Sequence, residues 1–221
     1  MAAETKERIL DAAERLFADS GFAATSLRDI TGEADVNLAS VNYHFGTKEA
    51  LLSAILERRF RPINDQRIAL LDELESRAGE HGPALEDIVA AFVGPPFHHW
   101  SEAGSGGLKF LKFIGQIHSQ ANEEIRAAFL RQFERVLARF TAAFERALPD
   151  LDAGEVTTRV VFIVGAMAHA MTWGEQLAAR APRAPCRSDQ LLDSLISFAA
   201  AGMAAPQLAP VRMPAAAEGG R

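Results

Sequence analysis

The side chains best equipped for chemistry crowd into Val36–Lys48, which reads V-N-L-A-S-V-N-Y-H-F-G-T-K. Ser40, Asn42, Tyr43 and His44 place a hydroxyl, an amide, a phenol and an imidazole on about two helical turns. Such groups donate and accept hydrogen bonds, but no nucleophile–base pair is spaced among them for catalysis. Leu38, Val41 and Phe45, at i, i+3 and i+7, form an apolar stripe along the same segment. A short helix seated on that stripe offers its other faces to a polar partner.

The flanking residues position this helix. Asn37 stands at an N-cap, where its side chain can take up a free N–H of the first turn. Gly46 stops the helix, because glycine enters the left-handed conformation without a Cβ penalty. Thr47 caps the helix that follows, with Lys48 in its first turn. Upstream, Ser26 and Asp29 have the spacing of a capping box, and Leu27, Ile30 and Ala34 line the inward face of a helix of roughly nine residues. Asp35 falls in the turn between the two helices and tolerates positive φ better than most residues. Two short helices joined in this way place the second in a DNA major groove.

Thr25–Leu52, T-S-L-R-D-I-T-G-E-A-D-V-N-L-A-S-V-N-Y-H-F-G-T-K-E-A-L-L, resembles the DNA-binding domain of the tetracycline-repressor (TetR) family. Its most specific part is Tyr43-His44-Phe45-Gly46-Thr47-Lys48-Glu49-Ala50-Leu51. The likeness covers roughly residues 5–55 and departs from the family pattern at Asp35, where glycine is usual. Val36–Lys48 and Phe198-Ala199-Ala200-Ala201-Gly202-Met203 look more narrowly like a fatty-acid-responsive branch of that family. The resemblance implies an all-α homodimeric transcriptional regulator, a repressor released from double-stranded operator DNA by a small effector. It implies phosphate contacts from Thr25, Tyr43, His44 and Lys48. Asn37, Leu38, Ala39, Ser40 and Asn42 would lie nearest the bases, and Ser26, Arg28 and Thr47 complete the DNA-facing set. The implied domains are a helix-turn-helix unit at 1–55 and a helical ligand-binding and dimerisation unit at 56–205; the tail at 206–221, with Pro210, Pro214 and Gly219-Gly220, lacks periodicity and is expected to be disordered.

Composition sets limits around this reading. The chain has 221 residues, 48% of them hydrophobic, enough for one or two domains with a core. Its net charge is −6, and residues 1–48 hold five Lys/Arg against eight Asp/Glu. That balance argues against broad nucleic-acid affinity and supports a rival reading, a helical ligand-binding or protein-interaction module without DNA contact. Cys186 is the single cysteine, so no internal disulfide forms and a reducing cytoplasm is the expected setting. The longest apolar run, Val160–Met171, is too short to span a bilayer, so no membrane role is expected.

Taken in order, the periodicity predicts a first helix over 5–19 and a fourth over 49–61, kinked or broken at Pro62. Further helices are expected over 63–77, over 85–97 ending near Pro95-Pro96, over 108–118, and over a long 123–148. Two more run from Asp152 to about Arg180 and from Ser188 onward. No segment alternates with the period of a strand. His98, His99, His118 and His169 lack metal-ligand spacing, no P-loop, nucleophile elbow or dinucleotide fingerprint occurs, and Gly104–Gly107 follows no strand; neither metal, cofactor nor catalysis is expected.

Phe occurs 14 times and Tyr once, so a cavity in the C-terminal helices would offer few donors and suit an apolar or acyl ligand. Its expected lining is Trp100, Phe110, Phe113, Ile117, His118, Phe129, Phe133, Met167, Met171 and Trp173. Lys109, Lys112, His118 and Arg126 are candidate partners for a head group. Small residues around Gly165 and at Ala199–Gly202 suit close helix approach, and two such helices from each of two chains would make a four-helix dimer interface.

Overall fold

The computed structural model describes residues 2–102, 123–178, 180 and 188–207. Among these there is no strand. The helices are α1 (Ala2–Ser20), α2 (Leu27–Ala34), α3 (Leu38–His44), α4 (Lys48–Ala78), α5 (Leu85–Glu102), α6 (Glu123–Arg131), α7 (Glu134–Ala147), α8 (Ala153–Ala178) and α9 (Ser188–Ala204), with a short 3₁₀ turn at Gly79–His81.

Two apolar cores share α4 as a spine. Ile9, Ala13 and Phe17 of α1, Ile30 and Ala34 of α2, and Val41 of α3 close against Leu51, Leu52, Ile55 and Leu56 of α4. The second core gathers Ile68 and Leu71 of α4, Ile88 and Phe92 of α5, Phe140 and Phe144 of α7, Val156, Val160 and Ile163 of α8, and Leu195 and Met203 of α9. Burying a side chain of this size is worth about 1.5–3 kcal/mol, so each core outweighs the local preferences of single residues.

Three expectations about helix ends are corrected for that reason. Pro62 lies inside α4, which runs on to Ala78. Pro95 and Pro96 lie inside α5, which continues to Glu102. In each case the neighbours are core residues, Phe60 and Ile63 in α4 and Phe92, Val93 and Phe97 in α5. The long helix expected over 123–148 is instead two helices with a turn at Gln132–Phe133. There the Gln132 and Phe133 amides donate to Phe129 O (3.1 Å) and Leu130 O (3.0 Å), a tighter pitch than the α-helix. The Gln132 carbonyl accepts from Asn64 Nδ2 at 2.7 Å. The turn lets both Phe129 and Phe133 reach the Phe60 ring, at centroid distances of 5.7 and 4.9 Å. The expected helix over 108–118 and the tail beyond 207 lie outside the described residues.

Arg159 joins α8 to the end of α9. Its Nη1 donates to the carbonyls of Gly202 (3.2 Å), Met203 (2.7 Å) and Ala205 (2.5 Å), while Nε meets Glu155 Oε1 at 2.8 Å. The orphan carbonyls of a helix C-terminus are thereby satisfied by a cation that is itself paired.

Candidate nucleic-acid interface

Every boundary of α2 and α3 has a side-chain or backbone cause. Ser26 Oγ accepts from the Asp29 amide at 3.2 Å, and Asp29 Oδ2 accepts from the Ser26 amide at 2.8 Å, completing the capping box. The Ser26 hydroxyl also donates to Asp29 Oδ2 at 2.7 Å. These bonds, the hydroxyl's first, hold the Asp29 carboxyl below its usual range. Asp35 takes φ 50° and ψ 55°, the left-handed conformation expected of it. Asn37 Oδ1 accepts from the Ser40 amide at 2.8 Å and the Ser40 hydroxyl at 3.0 Å. Gly46 has φ 74°, and Thr47 Oγ1 accepts from the Ala50 amide at 3.1 Å to start α4.

One positioning residue escapes the sequence reading. Arg8, on α1, donates through Nη2 to Ala34 O (2.5 Å) and Asp35 O (2.7 Å), carbonyls at the end of α2. It fastens the turn that sets α3 at its angle to α2. The signal for it was chemical: a helix C-terminus ending in Asp rather than Gly still needs donors for its last carbonyls, and a cation is the natural one.

The exposed surface of α3 is mixed. Val41 is fully buried and Phe45 packs on the N-terminal core, but Leu38 is 43% exposed, so the apolar stripe loses its first member to the surface. Tyr43 is 83% exposed, its ring 5.1 Å from the His44 ring. Ala39 and Asn42 are exposed, and Ser40 and His44 half-buried. Arg28 and Thr47 are also exposed. Leu38, Ala39, Asn42 and Tyr43 thus give one accessible surface.

Two of the expected phosphate contacts are engaged inside the protein. Thr25 is 3% exposed, and its hydroxyl donates to Gly21 O at 2.9 Å. It holds the turn after α1, leaving backbone rather than hydroxyl for any outside contact. Lys48 Nζ donates to the Phe22 carbonyl and lies 4.2 Å from the Phe22 ring centroid. Burial lowers its pKa, against the opposing pull of Glu49 and Asp29. Lys48 therefore pins the start of α4 to the turn after α1 while standing at the edge of the α3 surface.

The expected effector lining is divided. Phe129, Phe133 and Met171 pack with the N-terminal core, and Met167 lies in the second core, with Met171 touching both. Trp173 is about half-exposed on α8. Trp100 falls near the end of α5, its side chain outside the described residues, as are Phe110, Phe113, Ile117 and His118 entirely. Among the described residues no three His, Cys, Asp or Glu side chains stand close enough to hold a metal ion.

A further apolar surface lies on α8 and α9. Phe162 is 69% and Phe198 70% exposed, alongside Val161. A Cβ placed on Gly165 or on Gly202 would meet nothing within 4 Å. Close packing among the described residues therefore does not account for either glycine.

Residues 9–55 match the family of bacterial regulatory proteins of the tetR type, and residues 90–202 match the tetracyclin repressor-like C-terminal domain. The HTH-type transcriptional repressor Rv3405c of Mycobacterium tuberculosis is 50% identical over 54 residues, 24% of this chain and 29% of that protein. The regulator AcrR of Shigella flexneri is 43% identical over 84 residues, 38% of this chain and 36% of that one. The chain thus spans about a third of the length of the curated relatives it matches. Among solved structures, the fatty acid degradation regulator FadR from Bacillus halodurans shares the fold with TM-score 0.65 and 17% identity, covering 90% of this chain and 95% of that one. A transcriptional regulator from Aquifex aeolicus does so with TM-score 0.55 and 20% identity, covering 88% and 96%.

Proposed function

This chain belongs to the tetR family of bacterial regulatory proteins, and we infer that it is a homodimeric repressor that grips double-stranded operator DNA through α3 and releases it when a small apolar or acyl effector binds. It is a transcription regulator, not an enzyme. We divide it into a DNA-binding unit over 1–55 and an effector and dimer unit over 56–205.

The observation that carries the DNA reading is the surface of α3. A helix fixed by caps at both ends exposes Leu38, Ala39, Asn42 and Tyr43 together. Exposing a leucine and a tyrosine side by side has no return in water, whereas a thymine methyl and a phosphate suit them. Half-sites about 34–36 Å apart, or a multiple of that, would match two copies of α3.

Dimerisation is supported by the outer surface of α8 and α9. By length and composition, α8 is apolar enough to cross a membrane. Its other side, however, packs into the second core, and Arg159 ties it to α9. We assign the uncovered side, with Phe162, Gly165, Phe198 and Gly202, to a second copy in the cytoplasm. The aromatic trio Phe60, Phe129 and Phe133 supports a route between effector and DNA. It couples α6 to the half of α4 that packs against α1–α3, so a shift of α6 tilts the recognition helices. The effector acts by preferring one of the two spacings. A fatty acid degradation regulator is among the neighbouring folds, which agrees with an acyl effector here.

The test is fluorescence anisotropy of the full chain on fragments of its own genome, followed by acyl chains of increasing length. Discrete inverted-repeat fragments should bind, and longer chains should release them at lower concentration. Lys48→Ala should weaken all fragments alike without altering which is preferred, because it frees the start of α4 from the turn after α1. Binding to no fragment would favour the helical module without DNA contact.

A further inference from the structure

Arg67 is 2% exposed within the second core, and among the described residues no carboxylate pairs with it. Its Nε donates to Phe92 O at 2.7 Å, Nη1 to Asn64 Oδ1 at 3.2 Å and Nη2 to Met167 Sδ at 3.4 Å. The guanidinium carbon lies 4.8 Å from the Phe92 ring centroid. The Phe92 carbonyl is available because Pro96, four residues on, has no N–H to return to it. A guanidinium carries five N–H donors; these contacts engage three, one of them on a thioether, a weak acceptor. Burial lowers its pKa to about 10, so the group remains a cation at neutral pH.

Other cations drawn into the fold have carboxylate partners. Arg159 has Glu155, and Arg58 has Glu14, Asp11 and Glu7. Arg67 has only neutral acceptors. An uncompensated buried cation is among the costliest groups a core can hold, and a Met or Leu would fill the same space without that cost.

We propose that Arg67 is the anchor for a ligand anion, so that the effector is an amphiphile whose single carboxylate docks on the guanidinium where Met167 now lies. This rests on the effector reading above and specifies its ligand class. One cation matches a monoanion, and Arg159, the other buried cation among the described residues, is already paired. Met167 is suited to give way, having three rotatable bonds and a soft sulfur that forfeits little on leaving. Phe92, Ile163 and Met167 supply apolar surface for the body of the ligand.

The experiment is calorimetric titration of the full chain at pH 7.4 with decanoate and with decanol, which share a chain and differ in head charge. Wild type should bind decanoate at least tenfold more tightly than decanol. Arg67→Met should bind the two equally, and Arg67→Lys should keep part of the preference. Equal binding of both by wild type, or an undiminished preference in Arg67→Met, would overturn the proposal. Should Arg67→Met not fold, the wild-type pair and Arg67→Lys decide the question. Operator release is followed in parallel: release by both ligands at equal concentration keeps the apolar effector and removes the anchor, whereas binding of neither removes both.

Discussion

Residues 21–48 and residues 48–204 reach helical structure by different routes. In the first region each helix is eight residues or fewer, and each begins and ends at a residue with a local reason: Ser26, Asp35, Asn37, Gly46, Thr47. In the second, Pro62, Pro95 and Pro96 lie inside helices of 31 and 18 residues, and a turn interrupts an otherwise continuous helical pattern at Gln132–Phe133. A short helix gains little from its own packing, so a cap worth about 1 kcal/mol decides where it starts. A long helix buries many large side chains, and their sum exceeds the roughly 3 kcal/mol that a proline costs.

The difference extends to the surfaces. The proposed DNA contact is small and built on a rigidly capped helix. The proposed dimer contact is broad, apolar and carried by two long helices. Replacing Phe162 and Phe198 with Glu should have the largest effect, weakening self-association on the order of 10³-fold, as expected for two central aromatics. Light scattering at micromolar concentration should then report half the wild-type mass; an unchanged mass would mean that this surface is not the interface.

Pro62→Ala addresses the contrast directly. If packing carries α4 through the proline against its local preference, restoring the amide should stabilise the protein by about 2 kcal/mol in urea unfolding. A loss of stability would mean that the proline shapes α4 in a way the core requires. Asn37→Ala asks the same of the capped region. It should cost about 1 kcal/mol, concentrated in α3, and hydrogen exchange should speed at the first amides of that helix while α7 is unchanged.

The smallest effect concerns pH. Asp29 has its folded pKa lowered, chiefly by the Ser26 hydroxyl. Its contribution is therefore complete above the unfolded carboxyl value of 3.8 and is lost as pH falls through the lower folded value. Amide signals of α2 should loosen in that acid range in wild type, and Ser26→Ala should shrink the step by removing the largest cause of the shift, leaving the bond from the residue-26 amide.

The sequence by itself determined the helix-turn-helix, down to the capping box at Ser26 and the left-handed Asp35. Those features depend on interactions within three or four residues, which a linear text records. It also determined that the chain is all-helical and which positions carry polar groups on α3. Tertiary structure alone decided that Lys48 serves the fold's interior, because its partner Phe22 lies 26 residues away, and that Thr25 is buried there, its hydroxyl between Gly21 O and Leu16 O of α1, four and nine residues back. It alone decided between the two expected places for Leu38, the seated stripe and the outer surface, and it carried α4 and α5 through their prolines. The neutral surroundings of Arg67 emerged the same way. Its acceptors lie three, 25 and 100 residues away in sequence, and nothing in the periodicity of α4 distinguishes it from a surface arginine. Packing of α5 and α8 against that turn of α4 removes it from water, and only then does its charge become a property to explain.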